Sequence, residues 1–253
     1  MRPVRVLAVL VVLVGSLTAC DSGARQGQGS RAVVVFAAAS LKQVFTTIGE
    51  QLRSDNPGAA VTFNFAGSSE LATQLIEGAR PDVFASADVA QMDRVAQAGL
   101  LAGAAANFAA NTLVIVTAPG NPKNVGSFAE LTRPGLSVVI CQRPVPCGSA
   151  TQRIEDATGV QLHPVSEEPS VSDALNKVTT GQADAALVYV TDATSAGNKV
   201  TTVKFPEAAQ AVNVYPIAVL KNAPQGALAQ KFQAAVTGPA GREILDRAGF
   251  ARP

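Results

Sequence analysis

Twice in this chain a β-rich apolar run ends in small residues and a hydroxyl, and helical periodicity starts at once. Val33-Val34-Val35-Phe36-Ala37-Ala38-Ala39-Ser40 passes into Leu41, and Val61-Thr62-Phe63-Asn64-Phe65-Ala66-Gly67-Ser68-Ser69 passes into Glu70-Leu71. A strand that turns directly into a helix leaves the first helical N–H groups without partners, and the helix dipole adds partial positive charge there. Small residues let an anion approach that backbone, and a serine hydroxyl adds a donor. Two such turns point to an oxyanion held between neutral donors.

The same alternation runs through the chain. After the first strand, Leu41, Val44, Phe45, Ile48 and Leu52 recur at helical spacing until Asn56-Pro57-Gly58. The second strand leads into a helix with Leu71, Leu75 and Ala79 on one face. Asp82–Ala87 reads as a third strand, followed by a helix carrying Val89, Met92, Val95 and Ala96. Asn111–Thr117 reads as one long apolar strand closed by Pro119-Gly120. Beyond it the pattern predicts a short helix near 127–132, a strand at 136–141 and helices at about 149–158 and 172–180. Strands at 185–190 and 215–220 and helices at about 226–237 and 239–248 complete it. Strands separated by helices imply parallel sheets covered on both faces, whose ligands gather at the carboxyl ends of the strands. Ser40, Ser68 and Tyr189 all fall at such ends.

The N-terminus reads as an export signal. Arg2 and Arg5 precede the apolar stretch Val6–Val14, which is too short to span a bilayer, and Leu17-Thr18-Ala19-Cys20 resembles the lipobox of bacterial lipoproteins. Residues 1–19 are therefore expected to be removed, with Cys20 lipidated and residues 20–31 forming a glycine-rich flexible tether; ordinary secretion with cleavage elsewhere is the alternative. About 220 residues remain for the folded body. Of the 20 Lys and Arg, two lie in the signal, so 18 face 19 Asp and Glu with no basic cluster, which argues against nucleic-acid binding. Cys141 and Cys147 remain as an even pair, for which an oxidising compartment favours a disulfide. A metal site or two idle thiols are the alternatives; metal is disfavoured because His163 is the only histidine and no carboxylate lies inside the loop.

Five segments occur in order: Val35-Phe36-Ala37-Ala38-Ala39-Ser40-Leu41, Phe65-Ala66-Gly67-Ser68-Ser69, Pro81-Asp82-Val83-Phe84-Ala85-Ser86-Ala87-Asp88, Asn111-Thr112-Leu113-Val114-Ile115-Val116 and Leu187-Val188-Tyr189-Val190-Thr191-Asp192. Together they resemble the molybdate-binding proteins of ATP-driven molybdate importers, over about residues 32–250. The resemblance implies a two-lobed α/β fold of the periplasmic-binding-protein kind, type II-like, each lobe a mainly parallel sheet flanked by helices with the ligand in the cleft. It places lobe one at 32–110 plus 214–253 and lobe two at 111–213, closing about a hinge. It assigns Ser40 and Ser68 as ligands through hydroxyl and backbone N–H, Cys147 and Val171 through backbone N–H alone, and Tyr189 through its phenol. Cys147 departs from the small residue usual at its position. The resemblance further implies molybdate or tungstate as cargo, no cofactor, no catalysis, a monomer held to the membrane only by lipid, and a permease driven by a cytoplasmic ATPase as partner.

Other readings are weighed beside these. Alone, Ser40 and Ser68 read as helix N-caps and Tyr189 as a strand aromatic with a bonded hydroxyl. Val171 leaves little trace, because a backbone donor does not constrain its side chain. Asp82, Ser86 and Asp88 are expected to serve the third strand and its turn, His163 to lie in a loop, and Glu70 to face solvent at a helix start. A serine hydrolase would need His163 as base, yet neither serine lies in a Gly-x-Ser-x-Gly elbow. Receptors for sulfate or phosphate are the alternatives within binding; a carboxylate receptor would need an arginine clamp, and no arginine adjoins either turn. A purely structural lipoprotein is opposed by the serines and tyrosine gathering at one end of the sheets.

Overall fold

A computed structural model describes residues 31–253. The signal at 1–19, the lipidation site Cys20 and nearly all of the tether lie outside the described residues. In chain order the elements are β1 (Arg31–Ala38), α1 (Lys42–Asp55), β2 (Ala59–Ala66), α2 (Ser68–Ile76), β3 (Val83–Ala85), α3 (Val89–Gln97) and β4 (Ala106–Asn111). Next come β5 (Leu113–Thr117), β6 (Val138–Cys141), α4 (Pro146–Thr158), β7 (Ser166–Glu168), α5 (Val171–Thr179), β8 (Ala185–Tyr189), α6 (Val190–Ala196) and β9 (Thr201–Val203). The last are β10 (Asn213–Val219), α7 (Gly226–Thr237) and α8 (Pro239–Arg247).

The strands form two five-stranded sheets, ordered β2-β1-β3-β10-β4 and β7-β6-β8-β5-β9. Within the first, β1 pairs parallel with β2 and β3, while β10 is antiparallel to both β3 and β4. Within the second, β6 pairs parallel with β7 and β8, while β5 is antiparallel to both β8 and β9. Each sheet is thus mixed: four strands share one direction and a single strand runs against them. Both reversed strands enter just after the chain has crossed from the other sheet, so no helical crossover sets their direction.

Alternation along β1 turns Val33, Val35 and Ala37 toward α1, whose Phe45, Ile48 and Leu52 are buried against them. Phe45 anchors this face, its ring centroid 5.8 Å from that of Phe108 and 5.4 Å from that of Phe232 on α7. The opposite face carries Phe84, covered by Leu71 and Leu75 of α2 and Met92 and Val95 of α3. Burying one such side chain is worth about 1.5–3 kcal/mol, so both faces of this sheet contribute to stability. The second sheet is buried throughout β5 and β8, as expected of central strands covered on both sides.

The chain passes between sheets twice. The run expected as one strand at 111–117 divides at Thr112: β4 closes the edge of the first sheet and β5 enters the middle of the second. The return leads from β9 through a 3-10 turn at Pro206–Ala211 into β10. Asn111 and Asn213 are paired in register, so the two crossings lie side by side.

Candidate functional site

Each residue that the sequence singles out stands at the start of a helical segment. Ser40 is in the 3-10 turn Ala39–Leu41 before α1, Ser68 opens α2, Cys147 is second in α4, Val171 opens α5, and Tyr189 immediately precedes α6. First-turn N–H groups have no acceptor within their own helix, so these segments present backbone donors. The fold brings all five residues to one cavity. Ala38, Ala39, Ala66, Gly67 and Ala87 line it beside the two serines, and Val145 and Pro146 line it beside Cys147, Val171 and Tyr189. No Lys, Arg, Asp, Glu or His is among these lining residues. Its volume is only about 10 Å³, far below the roughly 300–1,000 Å³ of sites for drug-sized ligands.

Neither serine caps its helix. Gly67 holds the cap position of α2, while Ser68 Oγ accepts the N–H of Ala87 at 3.0 Å. Ser40 Oγ shares a hydrogen bond of 3.1 Å with Tyr215 Oη. Ser68, Cys147, Val171 and Tyr189 are buried, and Ser40 is half-buried. Cys141 and Cys147 are joined in a disulfide, which ties the end of β6 to the first turn of α4.

Tyr189 is held from several sides. Its Oη accepts from Asn213 Nδ2 at 2.6 Å, and its backbone N–H donates to Asp192 Oδ2 at 3.1 Å. Its ring meets that of Tyr215 edge-on at a centroid distance of 5.9 Å. Burial pushes the Tyr189 phenol well above its ordinary pKa, and Tyr215, Asp88 and Asp192 push it further. Burial likewise raises the carboxyl of Asp192 to about 7, against the lowering effect of the Tyr189 N–H.

Other sequence candidates lie apart from the cavity. His163 is exposed in the segment between α4 and β7 and is not among the residues that line the cavity with the two serines. Glu70 is exposed, and its carboxylate accepts from Gln74 at 3.0 Å. Asp82 accepts the N–H groups of Val34 and Gln225, Ser86 accepts that of Asp88, and Asp88 caps α3 through Gln91. Among the described residues no group of three or more His, Cys, Asp and Glu could hold a metal cation.

The pattern of residues did not single out Gly67, Asn213 or Tyr215 as parts of the site. Gly67 belongs to the first sheet's side and Pro169 to the second's, and a methyl group on Gly67 would lie 2.2 Å from the Pro169 carbonyl oxygen. Nearby, Gln91 Nε2 donates to the Pro144 carbonyl at 2.9 Å, so the two halves touch directly around the cavity. Gly67 lies inside the Phe65-Ala66-Gly67-Ser68-Ser69 motif, whereas Asn213 and Tyr215 carry no local signal.

Two α/β halves joined by paired crossings, with a small neutral donor-lined cavity between them, define a solute receptor. In keeping with this, the chain matches the family model of bacterial extracellular solute-binding proteins over residues 33–251 and belongs to that family, whose members bind solutes outside the cytoplasm and are not enzymes. It is 65% identical over 251 residues to the molybdate-binding protein ModA of Mycobacterium tuberculosis (strain H37Rv), covering 97% of this chain and 96% of that one. Among solved structures it is similar to the periplasmic molybdate-binding protein of Azotobacter vinelandii, with TM-score 0.76 and 23% identity over 87% of this chain and 99% of the other. The sulfate-binding protein SubI of M. tuberculosis aligns with TM-score 0.77 and 18% identity over 87% and 86% of the two chains. At these low identities the two structures speak to the fold.

Proposed function

We propose that this chain is an extracytoplasmic receptor for molybdate that also accepts tungstate. The observation that carries this reading is the convergence of Ser40, Ser68, Cys147, Val171 and Tyr189 on one cavity without an ionisable neighbour in its lining other than the tyrosine itself. The identity to a molybdate-binding protein over nearly the whole chain supports it.

Molybdate at neutral pH is a tetrahedral dianion with no proton, so it asks only for donors. Ser40 and Ser68 offer hydroxyl and N–H, Cys147 and Val171 offer N–H, and Tyr189 offers its phenol. Hydrogen bonds to a charged acceptor are worth about 1.5–3 kcal/mol each, so six or seven hold a desolvated dianion without a counter-charge. Monohydrogen phosphate brings a proton that finds no carboxylate acceptor in the lining. Sulfate has the right charge and a smaller radius, which lobe closure discriminates against.

Residues 32–110 with 214–253, and residues 111–213, act as the two lobes, closing about the crossings at Thr112 and near Val212. The closed receptor delivers its ion, as a monomer, to a membrane permease powered by a cytoplasmic ATPase. Cys20 carries the lipid that keeps it at the membrane; Cys20→Ala would release it into the medium. The deciding experiment is calorimetric titration of the chain from Asp21 onward with molybdate, tungstate, sulfate and phosphate. Tight binding of the first two alone is expected. Preference for sulfate or phosphate would reassign the cargo, and binding of none would remove the receptor function.

A further inference from the structure

Asn213 is 2% exposed and begins β10, where the chain returns to the first sheet. Its amide cannot be turned over. Oδ1 faces a guanidinium nitrogen of Arg153, which can only donate, and Nδ2 lies 3.1 Å from the carbonyl oxygen of Pro146, which can only accept. Flipping the amide would set donor against donor and oxygen against oxygen. With the amide so pinned, Nδ2 points its other hydrogen at Tyr189 Oη, 2.6 Å away. The phenol oxygen is then an acceptor on that side, and its own proton is left for the cavity that Tyr189 lines or for the adjoining Tyr215 hydroxyl, which already shares a hydrogen bond with Ser40.

We propose that Asn213, oriented by Arg153 and the Pro146 carbonyl, is a specificity-determining positioning residue that makes Tyr189 an obligate donor toward the bound oxyanion. The inference rests on the receptor reading above and adds the reason why the site would reject protonated anions. A tyrosine free to rotate could accept a hydrogen bond from the O–H of monohydrogen phosphate; one already accepting from an amide is held with its proton forward. Ser68 shows the same arrangement, its oxygen already engaged by the Ala87 N–H. Asn213 also spans the two halves, since Arg153 and Pro146 lie on α4 and Asn213 on the first sheet. The orientation of Tyr189 is thereby tied to the place where the chain re-enters.

The test measures affinity for sodium molybdate and for inorganic phosphate at pH 7 in the full chain and in Asn213→Ala, Asn213→Asp, Tyr189→Phe and the Asn213→Ala/Tyr189→Phe double variant. Loss of one charge-assisted bond predicts that Asn213→Ala weakens molybdate binding by about tenfold or more while phosphate binding holds or improves. Asn213→Asp keeps a partner for Arg153 but has no hydrogen for Tyr189, and should narrow the molybdate-over-phosphate ratio further; if it does not fold, Asn213→Ala decides. Tyr189→Phe should weaken molybdate binding strongly in the wild-type background and hardly at all in Asn213→Ala. A merely structural role for Asn213 would lower both affinities together. An unchanged molybdate-over-phosphate ratio, or an equal effect of Tyr189→Phe in both backgrounds, overturns the proposal. The unsubstituted chain tests the receptor reading separately: if it prefers sulfate, that reading fails while the same cycle on sulfate still decides the role of Asn213. If it binds no oxyanion, both fall.

Discussion

Ser68 sits at the first position of α2 with its oxygen bonded to the Ala87 N–H, so removing it takes away a scaffold contact along with the proposed ligand donor. Ser68→Ala is expected to weaken molybdate binding by more than about tenfold, the loss of one charge-assisted bond; retained affinity in calorimetry would remove Ser68 from the ligand set. Asp192 is a second single-residue case. Burial holds its carboxyl at about 7 in the folded chain, against about 3.9 in an unfolded one. Between those values the folded chain keeps a proton that the unfolded chain has released, so stability falls as pH rises from about 4 to about 7 and then levels off. Asp192→Asn can still accept the Tyr189 N–H through its amide oxygen and carries no charge to desolvate. It should melt higher than the wild type at pH 8, with the difference, on the order of a few kcal/mol at most, shrinking toward pH 4. A gap that does not depend on pH would show that Asp192 is not titrating in the fold.

Among the elements, α4 illustrates how a helix start comes to line the cavity. Pro146 is a first-turn residue with no N–H to satisfy, Cys147 follows with its amide free of the helix, and the disulfide to Cys141 anchors that turn to β6. The half-cystines are 6 residues apart, a loop so short that loop-entropy arithmetic gives only about 2 kcal/mol. Replacing both cysteines by alanine should lower Tm by about 4–8 °C, while molybdate affinity falls less than about tenfold because the backbone N–H at position 147 survives. Abolished binding would mean that the cross-link itself shapes the site. Elements differed in how readily their residues announced them. The helices at α1, α4, α5, α7 and α8 follow from apolar spacing. β7, Ser166-Glu167-Glu168, contains no apolar residue and exists because β6 offers it a parallel edge. The sequence pattern ran β8 on to Val190, but Val190 begins α6, whose first turn is held by Asp192 accepting the Tyr189 N–H.

For the molecule as a whole, the contact between Gly67 and Pro169 offers a way to separate binding from folding. Gly67 has φ −61° and ψ 137°, a conformation open to alanine, so Gly67→Ala strains only the approach of the two halves. The ligand-free variant should melt within about 1 °C of the wild type, because no contact inside either sheet changes. Its molybdate affinity should fall at least about tenfold, chiefly through faster dissociation, and scattering should show no compaction on adding the ion. Wild-type affinity in this variant would mean that the bound state does not close through this contact.

Much of the site was legible because short motifs place a donor where a strand becomes a helix, and that junction depends on a few adjacent residues. The same local rules yielded the α/β class and a chain without a basic patch. Tertiary structure alone decided the rest. Asn111–Thr117 reads as one strand, and nothing in it says that the chain leaves one sheet for the other at Thr112. Asn213 looks like any polar residue at a strand end until Arg153 and Pro146, 60 and 67 positions earlier, pin its amide. Periodicity and turn chemistry act between neighbours in sequence, so the residues themselves determine elements and exposed helix starts. Which starts face one another, and which way each hydroxyl must donate, depends on contacts between distant segments that form only when both sheets are packed.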